Sequence, residues 1–343
     1  MLLHNLQKQK LIHPPDWLCD NTVYLTIMGS MAYGVNTDSS DIDIYGICIP
    51  KKEMVFPHLT GEILGFGKQI NRFEQWQEHH IKTTNSKEYD FGVYNIVKYF
   101  QLLMENNPNI IDSIFTPREC IIHSTHTGEL IRENRKIFLH KGAFHKFKGY
   151  SFSQKNKMDN IKNRQLVKNI RAFEDEHGIS HNITYKDVLN ENPEIYQILN
   201  KDTMVEYIRL FQEGISDNKR FESHKIFNTD VKFMYHLMGL LSEIEQILIE
   251  GDLDLRRNNE QYKAIRRGEM SEEDINKWFT NKELQLEKLY SESTLQWGPD
   301  EDKIKQLLIN CLEHHYGSLE KCLVEPDKAI KALEEIKQIV SKF

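Results

Sequence analysis

The first third of the chain alternates short apolar runs with polar breaks. VYLTIM, at residues 23–28, is β-branched and aromatic, has the length of a strand, and stops where side-chain bulk disappears at Gly29. IDIYGICI, at 42–49, reads as a second strand. EYDFGVYN, at 88–95, reads as a third through Tyr89, Phe91, Val93 and Tyr94. Ile96, Val97, Phe100 and Leu103 then recur at helical spacing. Past Arg118 strand signals nearly vanish and amphipathic patterns take over: Val231, Met234, Leu237, Met238, Leu241 and Ile244, and later Ala329, Leu333, Ile336 and Val340. The pattern predicts an α/β core of mixed sheet and helices over residues 1–118, then an α-helical domain over 119–343. Two turn-rich stretches, 182–192 and 295–300, read as breaks inside the helical part and not as domain boundaries.

The break after the first strand carries the most informative chemistry, MGSMAYGVNTDSSDIDIYGICIP at 28–50. A short helix is expected to start at Gly29, which lets the backbone approach a ligand. Ser30 and the N–H groups of that turn then face the space above the strand end, a setting that suits a triphosphate. Asp41 and Asp43 fall on one strand face, because side chains alternate with period two. Two carboxylates about 6 to 7 Å apart repel by roughly 2 to 3 kcal/mol at an effective dielectric of about 20. A bound cation reverses that cost, and hard oxygen ligands select Mg²⁺ or Mn²⁺. The bland alternative is an Asx-rich turn, with Asp41 capping it and Asp43 solvated.

The Gly-Ser turn followed after about ten residues by Asp-x-Asp on a strand resembles the signature of the DNA polymerase β-type nucleotidyltransferase superfamily. More narrowly, the chain is similar to an uncharacterised family of "predicted nucleotidyltransferases" of bacteria and large DNA phages. The residues that carry this are HPPDWL at 13–18, GSMAYG, SDIDIYG, GFGKQINRFEQWQEHH at 65–80 and NNPNIIDSIFTP at 106–117. HKFKGYSFSQKNKM at 145–158, DVKFMYHLMGLL at 230–241 and IRRGEMS at 265–271 add to it. The resemblance implies a third carboxylate on a neighbouring strand, completing a two-metal site. Asp90 is the candidate, with Glu88 the near alternative on the same strand face, and Asp90 as a mere helix-preceding residue stays open.

Composition bounds the rest. The chain has 343 residues, enough for two domains and a sizeable core. It holds no apolar stretch of membrane-spanning length and no signal-peptide-like start, which leads to the expectation of a cytoplasmic protein. Cys19, Cys48, Cys120, Cys311 and Cys322 are odd in number and scattered, against a disulfide framework or a cysteine–zinc site. His123 with His126, and His314 with His315, lack further ligands at zinc spacing and read as structural or surface groups. His79 and His80 belong to the family-like stretch and are candidates for the acceptor side of a cleft.

Net charge is −7, which alone discourages a nucleic-acid partner. Its distribution changes that picture. Residues 132–171 carry twelve Lys or Arg against Glu133 and Asp159, a local +10 that leaves −17 elsewhere. Phe138, Phe144, Phe147, Tyr150 and Phe152 are interleaved with this charge, a mixture that offers phosphate contacts and surfaces for stacking bases. A solvated basic helix whose aromatic residues are core is the equal alternative.

The resemblance implies a metal-dependent nucleotidyltransferase. Asp41, Asp43 and Asp90 would hold Mg²⁺ or Mn²⁺, and Gly29 and Ser30 would grip the triphosphate, with ATP first among candidates. On the strength of the basic aromatic segment, an RNA end would be the acceptor. Lys148, Tyr150, Ser151, Gln154 and Lys232 would line the nucleotide, since relatives of this kind use a lysine or serine and an aromatic ring from a helical domain. A nucleotidyltransferase acting on a protein or small molecule, and a catalytically silent nucleotide-binding module, are the rival readings. Oligomeric state is not legible.

Overall fold

Thr22–Ile27 forms β1 because five of its six residues are β-prone and it packs on both faces, and it ends where Gly29 takes a left-handed φ of +60°. Ile42–Cys48 is β2, Gln75–Lys82 is β3, Glu88–Asn95 is β4 and Ile121–Ser124 is β5. These coordinates are a computed structural model that describes residues 1–37, 40–56, 72–83, 87–158, 161–190, 192–212, 230–318 and 328–341. Residues 65–71 of the family-like stretch, Asp38 and Ser39 before Asp41, and Cys322 lie outside the described residues.

The five strands make one mixed sheet in the order β3-β4-β2-β1-β5. β2 and β4 run parallel, and every other neighbouring pair is antiparallel. One face is covered by α1 (Leu2–Lys8) and the segment after it: Leu3, Leu6, Ile12 and Leu18 pack on Leu25, Ile42, Ile44, Trp76, Phe91 and Val93. By the period-two rule the other face takes Tyr24, Thr26, Asp43, Tyr45, Asp90 and Tyr94. There Tyr24 donates from its hydroxyl to the Ser113 carbonyl at 3.1 Å and Thr26 meets the Thr116 hydroxyl at 2.7 Å, both from the helix Pro108–Phe115 or its C-cap. Buried Arg132 ties the same layer together, donating to the Tyr24 hydroxyl and to the carbonyls of Ile114 and Thr116.

The chain forms two compact units, Met1–His140 with Gln296–Phe343, and Lys141–Leu295. This differs from the expected break after Arg118 in two ways, each with a physical reason. β5 lies beyond residue 118 yet pairs with β1, so the edge of the sheet is built from what read as the helical part. The chain then returns to the first unit at Gln296, inside the stretch 295–300 that read as an internal break. The helix Glu301–Tyr316 brings His314 against Thr127 (3.1 Å) and His126 (ring centroids 4.4 Å), and the Tyr316 hydroxyl onto the Pro50 carbonyl.

The second unit is helical among its described residues. Val231–Glu250 is its central helix, with Val231, Met234, Leu237, Met238, Leu241 and Ile244 all buried as their spacing predicts. Asp230 caps its start and Gly251, at φ +59°, closes it. A separate apolar cluster joins Ile161–His177 to Tyr185–Leu189, Pro193–Ile198 and Lys201–Gln212, through Ile170, Phe173, Val188, Ile195 and Tyr207. The last amphipathic stretch is helical over Lys328–Val340, but Leu333, Ile336 and Val340 are exposed there, so that stripe is not bundle core. Cys19, Cys48, Cys120 and Cys311 are buried free thiols, and burial pushes the Cys19 thiol up to about 11. No helix among the described residues is long and apolar enough to cross a membrane.

Candidate active site

Gly29–Ala32 forms a single turn of helix at the end of β1. The Tyr33 N–H returns to the Gly29 carbonyl at 3.2 Å and the Val35 N–H to the Ser30 carbonyl at 2.8 Å, so the turn folds on itself. Tyr33 fixes it to the layer below, donating from its buried hydroxyl to Asp112 Oδ2 at 2.7 Å. Sequence reading missed that anchor. Its signal was the tyrosine inside GSMAYG, an amphipathic ring whose hydroxyl needs a partner once buried.

Asp43 reaches this turn. A Cβ placed on Gly29 falls well inside contact distance of Asp43 Oδ2, so glycine is required twice, for its φ and for the approach of the carboxylate. The Met28 N–H donates to the Asp43 carbonyl at 2.7 Å and extends the β1–β2 ladder up to the turn. Asp41 stands just before β2, and both aspartates are half-buried.

Parallel pairing sets Asp43 directly opposite Asp90, with Ile42 opposite Tyr89 and Ile44 opposite Phe91. Neighbouring strands lie about 4.8 Å apart, so the two carboxylates leave one sheet face side by side. Glu88, two residues earlier on β4, shares that face and pairs in register with Lys82 of β3. Thus Asp43 stands against Gly29 on one side and opposite Asp90 on the other.

His79 and His80 join them, for a reason the sequence alone did not reveal. Register between β3 and β4 shifts between Glu78 and Ile81, so the two histidines together oppose Asp90 as a β-bulge. His80 takes φ +59° and donates its N–H to Asp90 Oδ1 at 2.7 Å. Its Nδ1 meets Glu88 Oε1 at 2.6 Å, and His79 Nδ1 lies 3.5 Å from Asp90 Oδ1. The hydrogen bond to Glu88, helped by the charge of Asp90, raises the His80 imidazole above its ordinary pKa. A readable clue existed: Trp76 and Ile81 both pack toward the α1 side, an odd separation that an unbroken period of two does not allow.

The other candidates lie in the second unit. Lys148 sits on Gly142–Met158 and ion-pairs with Glu287 at 2.7 Å and Glu283 at 3.1 Å, both on Glu272–Glu292. Partial burial works against its charge, but those hydrogen bonds outweigh it and raise the Lys148 pKa. Ser151 is buried and donates to the Lys148 carbonyl at 2.7 Å, a bond internal to the helix. Tyr150 is exposed and Gln154 half-buried. Lys232 is exposed in the first turn of its helix, where its N–H donates to the capping Asp230 at 3.0 Å. Of the aromatic residues interleaved with the basic segment, Phe138, Phe144 and Phe147 are buried, and Tyr150 and Phe152 remain on the surface.

Comparison with known proteins adds three findings. Residues 3–173 match the family described as "RNA repair pathway DNA polymerase beta family". The chain is 26% identical, over 126 residues, to the "Uncharacterized 38.9 kDa protein in nrdC-mobD intergenic region" of Enterobacteria phage T4, a stretch that makes up 34% of this chain and 33% of that one. The chain thus spans about a third of the length of this curated relative. The crystal structure of a nucleotidyltransferase-like protein from Exiguobacterium sibiricum 255-15 is 11% identical, covering 84% of this chain and 73% of its own, at a TM-score of 0.25, a likeness too slight to bear on fold or activity. All five strands and the acidic face fall inside the matched residues, and through them the chain belongs to the DNA polymerase β-type nucleotidyltransferase superfamily.

Proposed function

We propose that the protein is a metal-dependent nucleotidyltransferase that moves a nucleoside monophosphate from a triphosphate, ATP first, to a hydroxyl at an RNA end. The observation that carries this reading is the register of β2 on β4, which sets Asp43 against Asp90 while Asp43 also closes on the Gly29 turn. Asp41, Asp43 and Asp90 would hold Mg²⁺ or Mn²⁺, which when bound supplies the positive charge that triphosphate chemistry needs. Among the described residues no group of three or more His, Cys, Asp or Glu side chains is gathered that could hold a metal ion by itself. Phosphate oxygens of the triphosphate would complete the ligand set, since Mg²⁺ is commonly shared between one or two carboxylates and substrate phosphates.

The chain's own residues then have distinct tasks. The Gly29–Ser30 turn grips the β- and γ-phosphates. Asp90 takes the proton of the acceptor hydroxyl, whose oxygen forms a bond to the α-phosphorus as the bond to the bridging oxygen breaks. Pyrophosphate departs with that electron pair.

An RNA acceptor is supported by the words describing the matched family and by the basic segment, where Lys146, Lys168, Tyr150 and Phe152 are all exposed. A protein or small-molecule acceptor gains from one contrary observation: the Lys148 charge is already engaged by Glu283 and Glu287. Incubating the protein with each α-³²P-labelled nucleoside triphosphate, Mg²⁺, RNA and cell protein separates these readings by the fraction that becomes labelled. Label in neither macromolecule nor any small product would leave a silent nucleotide-binding module.

Two predictions belong to this reading. Asp90→Ala is expected to keep triphosphate affinity within about tenfold while turnover falls by about 10² to 10⁴ with loss of the base. Glu88→Ala should be the milder variant, and the reverse order would move the third carboxylate to Glu88. Lys146→Glu with Lys168→Glu should weaken RNA binding and flatten its log–log salt slope by about 1.4 to 1.8, the counterions of two lost phosphate contacts. Filter-binding titrations across a salt series measure this. An unchanged slope removes the basic segment from the RNA track.

A further inference from the structure

The bulge at His79–His80 calls for an explanation beyond sheet geometry. Rephasing Trp76 and Ile81 onto one face accounts for one extra residue in β3, but not for what that residue does. A left-handed φ at a non-glycine residue costs about 1 to 2 kcal/mol, and His80 bears it in an exposed position where no core packing requires it. What it gains is directed at the acidic face. Its N–H holds Asp90 Oδ1, and its imidazole holds Glu88. Among the described residues Asp90 Oδ2 accepts no hydrogen bond, so β3 ties down one oxygen of this carboxylate and leaves the other to act. The strand enters the bulge in a fixed register as well, since Glu78 takes the N–H of His13 at 2.8 Å and its Nδ1 at 3.1 Å. The distant HPPDWL stretch and the neighbouring EHH and EYD stretches thereby become one connected support.

We infer that His80 is a positioning residue, whose left-handed backbone presents the N–H that orients the Asp90 carboxylate for its part in transfer, with the Glu88–imidazole bond holding the bulge in place. The inference rests on the nucleotidyltransferase reading above. It makes the backbone conformation, not the imidazole's acid–base chemistry, the required property of this position.

His80→Asn and His80→Val test it together. Asparagine enters the left-handed region readily, whereas a β-branched residue resists it. The Asn variant is expected to keep kcat within about fivefold of wild type. The Val variant should lose about a hundredfold in kcat, the cost of a misplaced reacting group, with KM for the triphosphate changed less than about threefold. Mn²⁺ affinity, read by electron paramagnetic resonance without turnover, should fall in the Val variant and hold in the Asn variant. Equal loss in both variants would assign the role to the imidazole and overturn the inference, and so would wild-type kcat in the Val variant. If the Val variant does not fold, a folded Asn variant decides alone: retained kcat supports the inference, and loss overturns it. Wild-type protein that transfers no nucleotide would instead fail the underlying reading, and a dead Asp90→Ala beside an active His80→Val would fail only the positioning role.

Discussion

Asp41→Asn with Asp43→Asn is expected to lower nucleotide transfer by at least about a thousandfold, about 4 kcal/mol of transition-state stabilisation, while the protein stays folded. The loss follows from removing charged oxygen donors where the triphosphate and its cation would sit, beside the Gly29 turn and opposite Asp90. Folding should survive because amides of the same shape replace half-buried carboxylates that repel one another without a cation. Single-turnover transfer from a labelled triphosphate, set beside a thermal melt, measures both halves. Transfer at wild-type rates would remove the pair from the reaction, and a collapsed melt would make the two aspartates structural.

Gly29→Ala should cause the second large loss, by another route. The new methyl group meets Asp43 Oδ2, and the φ of +60° is strained for alanine by about 1 to 2 kcal/mol. Asp43 can relieve the clash only by swinging its carboxylate away from the turn. Transfer is therefore expected to fall by about a hundredfold or more, as for a misplaced reacting group, alongside a modest drop in melting temperature. A variant that loses stability but transfers normally per folded molecule would show that the turn needs glycine for its backbone alone.

Much of this face was readable in advance, and the reasons are local. Alternation with period two led to the expectation that Asp41 and Asp43 share a face, and the loss of side-chain bulk at Gly29 marked the end of β1. Asp90 could be nominated because Tyr89, Phe91 and Val93 gave β4 its strand character. Its place beside Asp43 rested on the family resemblance and not on local pattern, since strand order and the parallel β2–β4 register are set by packing across distant residues. The bulge was hidden for a related reason: one inserted residue changes no local propensity and shows only in the parity of Trp76 and Ile81. The boundary expected at residue 118 went astray because β5 is four residues long and its sequence, IIHS, carries little strand signal. In the basic segment, composition counted charges and rings without telling which were spent. Lys148 is engaged by two glutamates, and three of the five aromatic residues are core.

The return of the chain at Gln296 has a consequence for the order of assembly. His314 meets Thr127 across 187 residues of sequence and Tyr316 meets Pro50 across 266, with the whole of Lys141–Leu295 in between. As the polypeptide leaves the ribosome, the sheet with its acidic face is made first but must wait for its closing helix until the intervening unit has been synthesised. Because long loops form contacts slowly, the nascent sheet spends that interval with the surface under Glu301–Tyr316 uncovered. The helical unit, complete between the two halves, is free to fold in the meantime and shorten the distance the last helix has to search.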